Sequence, residues 1–116
     1  MTPANRLVLA LAVAAAWPVA RAQDAAASAS TSAVEAGHKL YVSSCQRCHG
    51  INLVTNSIGF DLRTFPRDDK ERFQRSVTDG LRAMPAWGPT LRPEQIDLLW
   101  TYIGAVNGWN SSPAPR

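Results

Sequence analysis

Apolar residues recur at helical spacing in three stretches of this chain, and nowhere do they alternate as a half-buried strand requires. From Val34 to Cys45, Gly37, Tyr41 and Cys45 follow one another at four-residue steps with Val34 and Leu40 alongside, which predicts a helix whose apolar face runs into the first cysteine. Asp68 and Glu71 then read as a capping box just after Pro66. Phe73, Val77 and Leu81 continue as a narrow stripe, predicting a short amphipathic helix that ends near Gly80. Pro93 and Glu94 open the third stretch, PEQIDLLWTYIGAV; Arg92 is a poor N-cap, so this start is expected to depend on tertiary contacts. Ile96, Leu99, Trp100 and Ile103 line one side of it and Leu98 and Tyr102 another, the pattern of a helix buried on two sides. Ile51 to Pro66 has no sustained period and is punctuated by Asn52, Asn56, Ser57, Gly59 and Asp61, as a loop wrapping something would be. The expected class is all-α, with three main helices and loops.

The pattern changes at both ends. Arg6 precedes an apolar run from Leu7 to Ala16, followed by Trp17, Pro18 and the small-residue pattern Ala20-Arg21-Ala22. Charged, apolar and small-residue parts in that order predict a secretory signal over residues 1–22, cleaved after Ala22. An uncleaved anchor would need roughly 20 apolar residues, and Pro18 and Arg21 cut this run short. Gln23 to Ala33 is Ala- and Ser-rich with a single charge, which suits a flexible linker. Asn110 to Arg116, NSSPAPR, offers nothing to bury and is expected to fray. The ordered domain is therefore expected from Val34 to Trp109. A domain that short buries a limited core and is commonly helped by a disulfide, a metal or a large bound group.

Charge excludes one class of partner. The chain carries 12 basic and 9 acidic residues, formally +3; removing Arg6 and Arg21 with the signal leaves about +1. The remaining charges are interleaved, RDDKER at 67–72 reads as a solvated helix face, and no basic stripe of the kind that binds nucleic acid stands alone.

The chain's only two cysteines stand in SSCQRCHG, residues 43–50. Cys45-x-x-Cys48-His49 is the attachment pattern for c-type haem: two thiols add across the vinyl groups, and the adjacent imidazole coordinates the iron. Covalent attachment would also supply the core that a short chain lacks. Zinc is one rival use, with His38 as a further donor, but zinc sites normally set two ligands in each of two separated pairs. A dithiol switch places its CxxC at the start of a helix in a βαβ unit, whereas this one follows a helix. A structural disulfide would close a tiny loop and leave His49 without a role.

With the signal removed, Met84 is the one methionine left. It lies in DGLRAMPAWG, a Gly- and Pro-bounded segment between two helices from which a thioether can reach an iron, and it is expected as the second axial ligand. His38 competes for that position, but its four-residue neighbours Val34 and Val42 mark an ordinary helix side. Trp87, Trp100 and Trp109 read as large apolar filling, with a bond from the Trp87 indole to a haem propionate as the alternative.

In combination these residues resemble the class I cytochrome c family, over Val34 to Ile103. Gly37-x-x-x-Tyr41 and Leu99-x-x-Tyr102 look like the helix faces that cross in that fold; Cys45, Cys48 and His49 match its haem motif, and Met84-Pro85 its methionine ligand. The resemblance implies one covalently bound haem c, six-coordinate His49/Met84 iron, and one-electron transfer without an enzymatic reaction of the chain's own. More narrowly, GFDLRTFP at 59–66 and DDKERFQRSVTDGLRAMPAWG after it look like the small periplasmic cytochromes that accept electrons from quinoprotein (PQQ-dependent) alcohol dehydrogenases. That likeness implies such a dehydrogenase as donor, a respiratory-chain acceptor, and a periplasmic location without stable membrane insertion. One departure stands out. Many family members place a proline soon after the haem motif, whose carbonyl orients the proximal imidazole, and here none occurs between His49 and Pro66. Another carbonyl, expected between Gly59 and Leu62, must take the Nδ1 proton.

The expected exchange surface is the haem edge, near Gln46, Arg47, Ala83, Pro85 and Ala86, as a small transient contact. Two propionates would bring the mature charge to about −1, too little for strong steering. Two other classes stand beside the electron carrier. A ligand-binding or peroxidatic haem protein would need a labile sixth ligand, and a haem-free structural domain would make CxxCH accidental.

Overall fold

The computed structural model describes residues 17–109. Residues 1–16 of the expected signal and the expected tail 110–116 lie outside the described residues. The elements are α1 Trp17–Ser44, α2 Gln46–His49, α3 Lys70–Asp79 and α4 Pro93–Val106, with 3-10 turns at Ile51–Leu53 and Leu62–Thr64. The class is all-α as expected, with the four-residue α2 added to three main helices.

The helix crossing that organises the fold is set by a missing side chain. A Cβ at Gly37 would run into the Leu98 carbonyl oxygen and come within 2.9 Å of Tyr102 Cβ, so α1 and α4 approach as closely as they do because position 37 has none. One turn further along α1, Tyr41 is fully buried. Its ring centroid lies 5.2 Å from that of Tyr102, and its hydroxyl donates to the Gly50 carbonyl at 2.6 Å. The crossing thereby fixes the corner that follows α1.

The core is completed by Ile96, Leu99, Tyr102 and Ile103 from α4, Phe73 and Val77 from α3, and Leu53, Leu62 and Leu91 from the connections. Each fully buried aliphatic or aromatic side chain contributes about 1.5–3 kcal/mol relative to exposure. Trp100, placed on the core line by its spacing, is half-buried and packs with Phe73 at 5.1 Å and Trp109 at 4.7 Å between ring centroids. Gln74 Nε2 donates to Asp97 at 2.8 Å and Lys70 pairs with the same carboxylate at 3.1 Å, tying α3 to α4 at their solvent edge.

Three local expectations need correction. The α3 cap is Asp69 rather than Asp68: its carboxylate accepts from the Arg72 backbone N–H at 3.3 Å and from Arg72 Nε at 2.7 Å. Leu81 falls beyond the end of α3 at Gly80 and is exposed, because the helix stops before the stripe reaches it. The stretch Gln23–Ala33, expected as a flexible linker, is helical and almost wholly exposed. Alanine costs less in a helix than any other residue, and no glycine or proline interrupts residues 19–36, so the helix docked at Gly37 extends outward without core contacts. The expected cleavage point after Ala22 lies within that helix. No described helix is long and apolar enough to cross a membrane.

Candidate functional site

Backbone hydrogen bonds build the cysteine corner. α1 ends at Ser44, the Cys45 N–H still donates to Tyr41 at 2.8 Å, and the chain restarts as α2 with N–H groups of Cys48 and His49 donating to Cys45 at 3.1 and 3.0 Å. Cys45, Cys48 and His49 are therefore brought together on one turn. Cys45 is half-buried against the core and Cys48 is exposed, both as free thiols. Burial, with Cys48 beside it as the second cause, pushes the Cys45 thiol up to about 11.

His49 is oriented by the loop that follows. Its Nδ1 lies 2.9 Å from the Phe60 carbonyl oxygen. A carbonyl can only accept, so Nδ1 carries the proton and Nε2 is left with its lone pair free for a metal. The carbonyl falls inside the window expected from the missing proline. The loop reaches the ring because Gly59 has no side chain: a Cβ there would stand 2.7 Å from the Cys48 carbonyl oxygen and 2.9 Å from His49 Nδ1. The Gly59 N–H donates to that same Cys48 carbonyl at 2.8 Å.

Met84 stands on a separate segment at the end of α3. Leu81 and Met84 exchange backbone hydrogen bonds of 3.1 and 3.0 Å across a tight turn, with Arg82 at φ 54° inside it. Beyond Met84, the N–H groups of Trp87 and Gly88 donate to the Val77 and Thr78 carbonyls at 2.9 and 3.1 Å, so the last turn of α3 is satisfied by the segment that presents the methionine. The Met84 side chain is half-buried. His38 is exposed on α1, its ring 5.0 Å from that of Tyr102. Of the expected rim, Arg47, Ala83, Pro85 and Ala86 are exposed and Gln46 is half-buried. Trp87 is half-buried against the core.

The residues fit a haem c. The chain offers two thiols on one corner, an imidazole with only Nε2 free, and a thioether on the separate segment after α3, a soft and nitrogenous donor set suited to haem iron. Phe60, whose carbonyl meets His49, Ile58 on the same turn, and Leu81, bonded through its backbone to Met84, are 56%, 71% and 56% exposed. That much apolar surface next to the donors calls for an apolar group to cover it. Among the described residues no group of three or more His, Cys, Asp or Glu side chains is placed to hold a metal ion, so the zinc reading lacks its donor set. What sequence reasoning did not reach was the identity of the His49 partner and the polar side chains of residues 55 and 56 that shape its loop. A short run of Thr, Asn and Ser ahead of a glycine was the only signal.

A model of the family described as cytochrome c oxidase, cbb3-type, subunit III matches residues 32–103. Cytochrome c6 of Gloeothece citriformis is 36% identical over 80 residues, covering 63% of this chain and 73% of that protein. Quinohemoprotein alcohol dehydrogenase ADH-IIG of Pseudomonas putida is 34% identical over 75 residues, 63% of this chain and 10% of that protein. The cbb3-type cytochrome c oxidase subunit FixP of Azorhizobium caulinodans is 32% identical over 94 residues, 76% of this chain and 32% of that protein. The chain thus spans about a tenth of the dehydrogenase and about a third of the oxidase subunit. No solved structure matches.

Proposed function

The chain belongs to the class I c-type cytochromes, small electron-transfer proteins with a covalently bound haem c, and on that premise we propose how its own residues hold the haem and which proteins it serves. Cys45 and Cys48 would carry the thioether links, and His49 and Met84 would be the iron's ligands from the chain. The carrier accepts electrons from a quinoprotein alcohol dehydrogenase in the periplasm and delivers them to the respiratory chain. Residues 1–22 are its export signal, 34–109 its haem domain.

The observation that carries the ligand assignment is the 2.9 Å contact between His49 Nδ1 and the Phe60 carbonyl, which leaves one nitrogen of the ring for the iron. Bound haem supplies a one-electron ferric–ferrous couple. The protein's part is to keep that couple from needing any other chemistry. The Phe60 carbonyl holds the imidazole plane and makes Nε2 more basic, while Met84 offers a soft sulfur that favours ferrous iron. With His49 and Met84 both given to the iron, the chain would leave it no open position for a substrate, and no proton would have to move. The exposed Arg47, Ala83, Pro85 and Ala86 leave a small, largely apolar rim with one positive charge for brief contact with a partner. Support for the donor is the likeness of this chain to part of quinohemoprotein alcohol dehydrogenases, together with the 59–88 stretches that resemble separate acceptors of such enzymes.

The test is an absorbance series on the exported protein, ferric and ferrous, with carbon monoxide added to the ferrous form, for the native chain and Met84→Ala. The native protein is expected to show a c-type spectrum and to ignore carbon monoxide; Met84→Ala is expected to bind it. Ready carbon monoxide binding by the native protein would overturn the His49/Met84 assignment in favour of an open or labile sixth site. Reduction of the native protein by a PQQ-dependent alcohol dehydrogenase and its alcohol, compared with reduction by the dehydrogenase alone, tests the donor. An intact mass equal to the chain from Gln23 plus one haem tests the export signal.

A further inference from the structure

We propose that Thr55 and Asn56 are positioning residues for His49: their side chains clasp the 55–60 turn onto the cysteine corner and thereby set the strength of the bond between His49 and the Phe60 carbonyl. The inference rests on the assignment of His49 as an iron ligand and adds to it the residues that govern that ligand.

The turn has two kinds of tie. Within it, Thr55 Oγ1 donates to the Gly59 carbonyl at 3.0 Å and accepts from the Ser57 N–H at 3.2 Å, while Asn56 Oδ1 accepts from the Ile58 N–H at 3.2 Å. Ser57 at φ 71° gives the reversal that those bonds close. Toward the corner, Asn56 Nδ2 donates to the Arg47 carbonyl at 2.9 Å and the Gly59 N–H donates to the Cys48 carbonyl at 2.8 Å. The two accepting carbonyls belong to consecutive residues immediately before His49. The turn is thus pinned to the same two peptide groups that lead into the ring it orients, and Phe60, next after Gly59, presents its carbonyl to Nδ1.

Phe60 lacks the ring that would fix φ in a proline. The direction of its carbonyl therefore depends on the residues before it, and those are the clasp. A strong bond from Nδ1–H to a carbonyl raises the basicity of the imidazole toward a metal; a slack turn weakens the bond, lowers that basicity and disfavours ferric iron. Thr55 and Asn56 would act on the couple through His49.

The experiment uses the haem-loaded full chain and three variants. Asn56→Asp keeps the acceptor for Ile58 and removes the donor to Arg47; Thr55→Val removes the hydroxyl; Thr55→Ser keeps it. Two quantities are read: exchange of the His49 Nδ1 proton with water by NMR, and the reduction potential. Asn56→Asp and Thr55→Val are expected to exchange that proton about tenfold faster, the factor that loss of one ordinary hydrogen bond allows, and Thr55→Val, which adds no charge, to have a higher potential as well. Thr55→Ser is expected to match the native protein in both. The spectrum and carbon monoxide response of each variant report whether His49 and Met84 remain ligands. If Thr55→Val fails to take up haem, the exposed and nearly isosteric Asn56→Asp decides alone. Native exchange in Asn56→Asp and Thr55→Val with a native potential in Thr55→Val, or a Thr55→Ser shift as large as that of Thr55→Val, would overturn the clasp and leave the ligand assignment standing. A native protein without His-ligated haem would overturn both.

Discussion

The segment that carries His49 and the segment that carries Met84 are built from different materials. Around His49, the chain is held by side chains as well as backbone: Tyr41 reaches Gly50, Asn56 reaches Arg47, and the Phe60 carbonyl meets the ring itself. Leu53, in the same stretch, is fully buried although it stands at φ 64°, next to Asn52 at φ 52°. Around Met84, main-chain bonds join Leu81 to Met84 and fasten Trp87 and Gly88 to the end of α3. The left-handed residue there, Arg82, is exposed. Left-handed backbone at a non-glycine residue costs on the order of 1–3 kcal/mol. Burial of a leucine offsets that cost beside His49; nothing comparable offsets it beside Met84. Of the two segments, the one that carries His49 is thus the more firmly held, and of the two proposed ligands Met84 is the one expected to be lost more easily.

The largest effect separating the two sides is expected at Leu53. Leu53→Ala removes a fully buried side chain and keeps the left-handed backbone, and it should cost about 2–5 kcal/mol of stability by urea unfolding. Haem-loaded Leu53→Ala should also loosen the loop that ends at Phe60, so His49 Nδ1 exchange should quicken together with the loss of stability. A cost under about 1 kcal/mol would mean that burial does not hold this loop and that the contrast with the Met84 side is false.

Tyr41 tests the same side through pH. Burial first, then the neighbouring Cys45 and Tyr102, pushes its hydroxyl up to about 12. A raised folded-state value means that the protonated form is favoured by folding. Its stability contribution is fully present below the unfolded tyrosine value of about 10 and is lost as pH climbs toward 12. Under the proposed attachment Cys45 would be a thioether that does not ionise, leaving burial and Tyr102 as the causes. Tyr41→Phe leaves the Gly50 carbonyl without its 2.6 Å partner and is expected to cost about 1–2 kcal/mol at pH 7. The same variant should unfold less steeply between pH 10 and 12. An unchanged alkaline limb would remove Tyr41 from the account.

These residues also show what was legible in the sequence. The apolar face of α1 was, because Gly37, Tyr41 and Cys45 repeat at the helical period, and its crossing with α4 followed from the resemblance of Gly37-x-x-x-Tyr41 and Leu99-x-x-Tyr102 to the family's crossing faces. The turn that brings Cys45, Cys48 and His49 together was, because its residues are adjacent in the chain. The outward run of α1 was not: composition marks Ala and Ser as linker-like, but the same alanines continue a helix once α4 has nucleated it. The Phe60 carbonyl could be narrowed to a window and no further, since every residue carries a carbonyl and only the turn selects one. The Arg92 start was half legible. Arg92 gives no side-chain cap, yet its N–H donates to Gln95 Oε1 at 3.0 Å, so the helix is closed from three residues downstream.

On the methionine side the expected effects are smaller, and one has the opposite sign. Arg82→Gly relieves the left-handed turn without removing a buried contact, and it is expected to leave stability unchanged or to raise it by up to about 1 kcal/mol. Thermal unfolding checks the sign. A loss as large as that of Leu53→Ala would show that the Arg82 side chain holds the segment after all.

The smallest effect is the most selective. Asp97, on α4, accepts from Lys70 and Gln74 on α3, and those two groups hold its carboxyl below the usual range, Lys70 first, with slight burial opposing. A depressed folded-state value means that its contribution is present above the unfolded carboxylate value of about 4 and is lost as pH falls through the lower folded one. The pair is half-exposed, so Asp97→Asn should cost less than about 1 kcal/mol at pH 7 and low salt, and nothing once the native carboxylate is protonated. Because α3 ends in the carbonyls that hold Trp87 and Gly88, the loss should be read on the Met84 side. Carbon monoxide should displace Met84 faster in Asp97→Asn than in the native protein, while exchange of the His49 Nδ1 proton stays unchanged. Equal changes at both ligands would mean that α4 transmits strain to the cysteine corner as readily as to α3, and the two sides would then have to be treated as one mechanical unit.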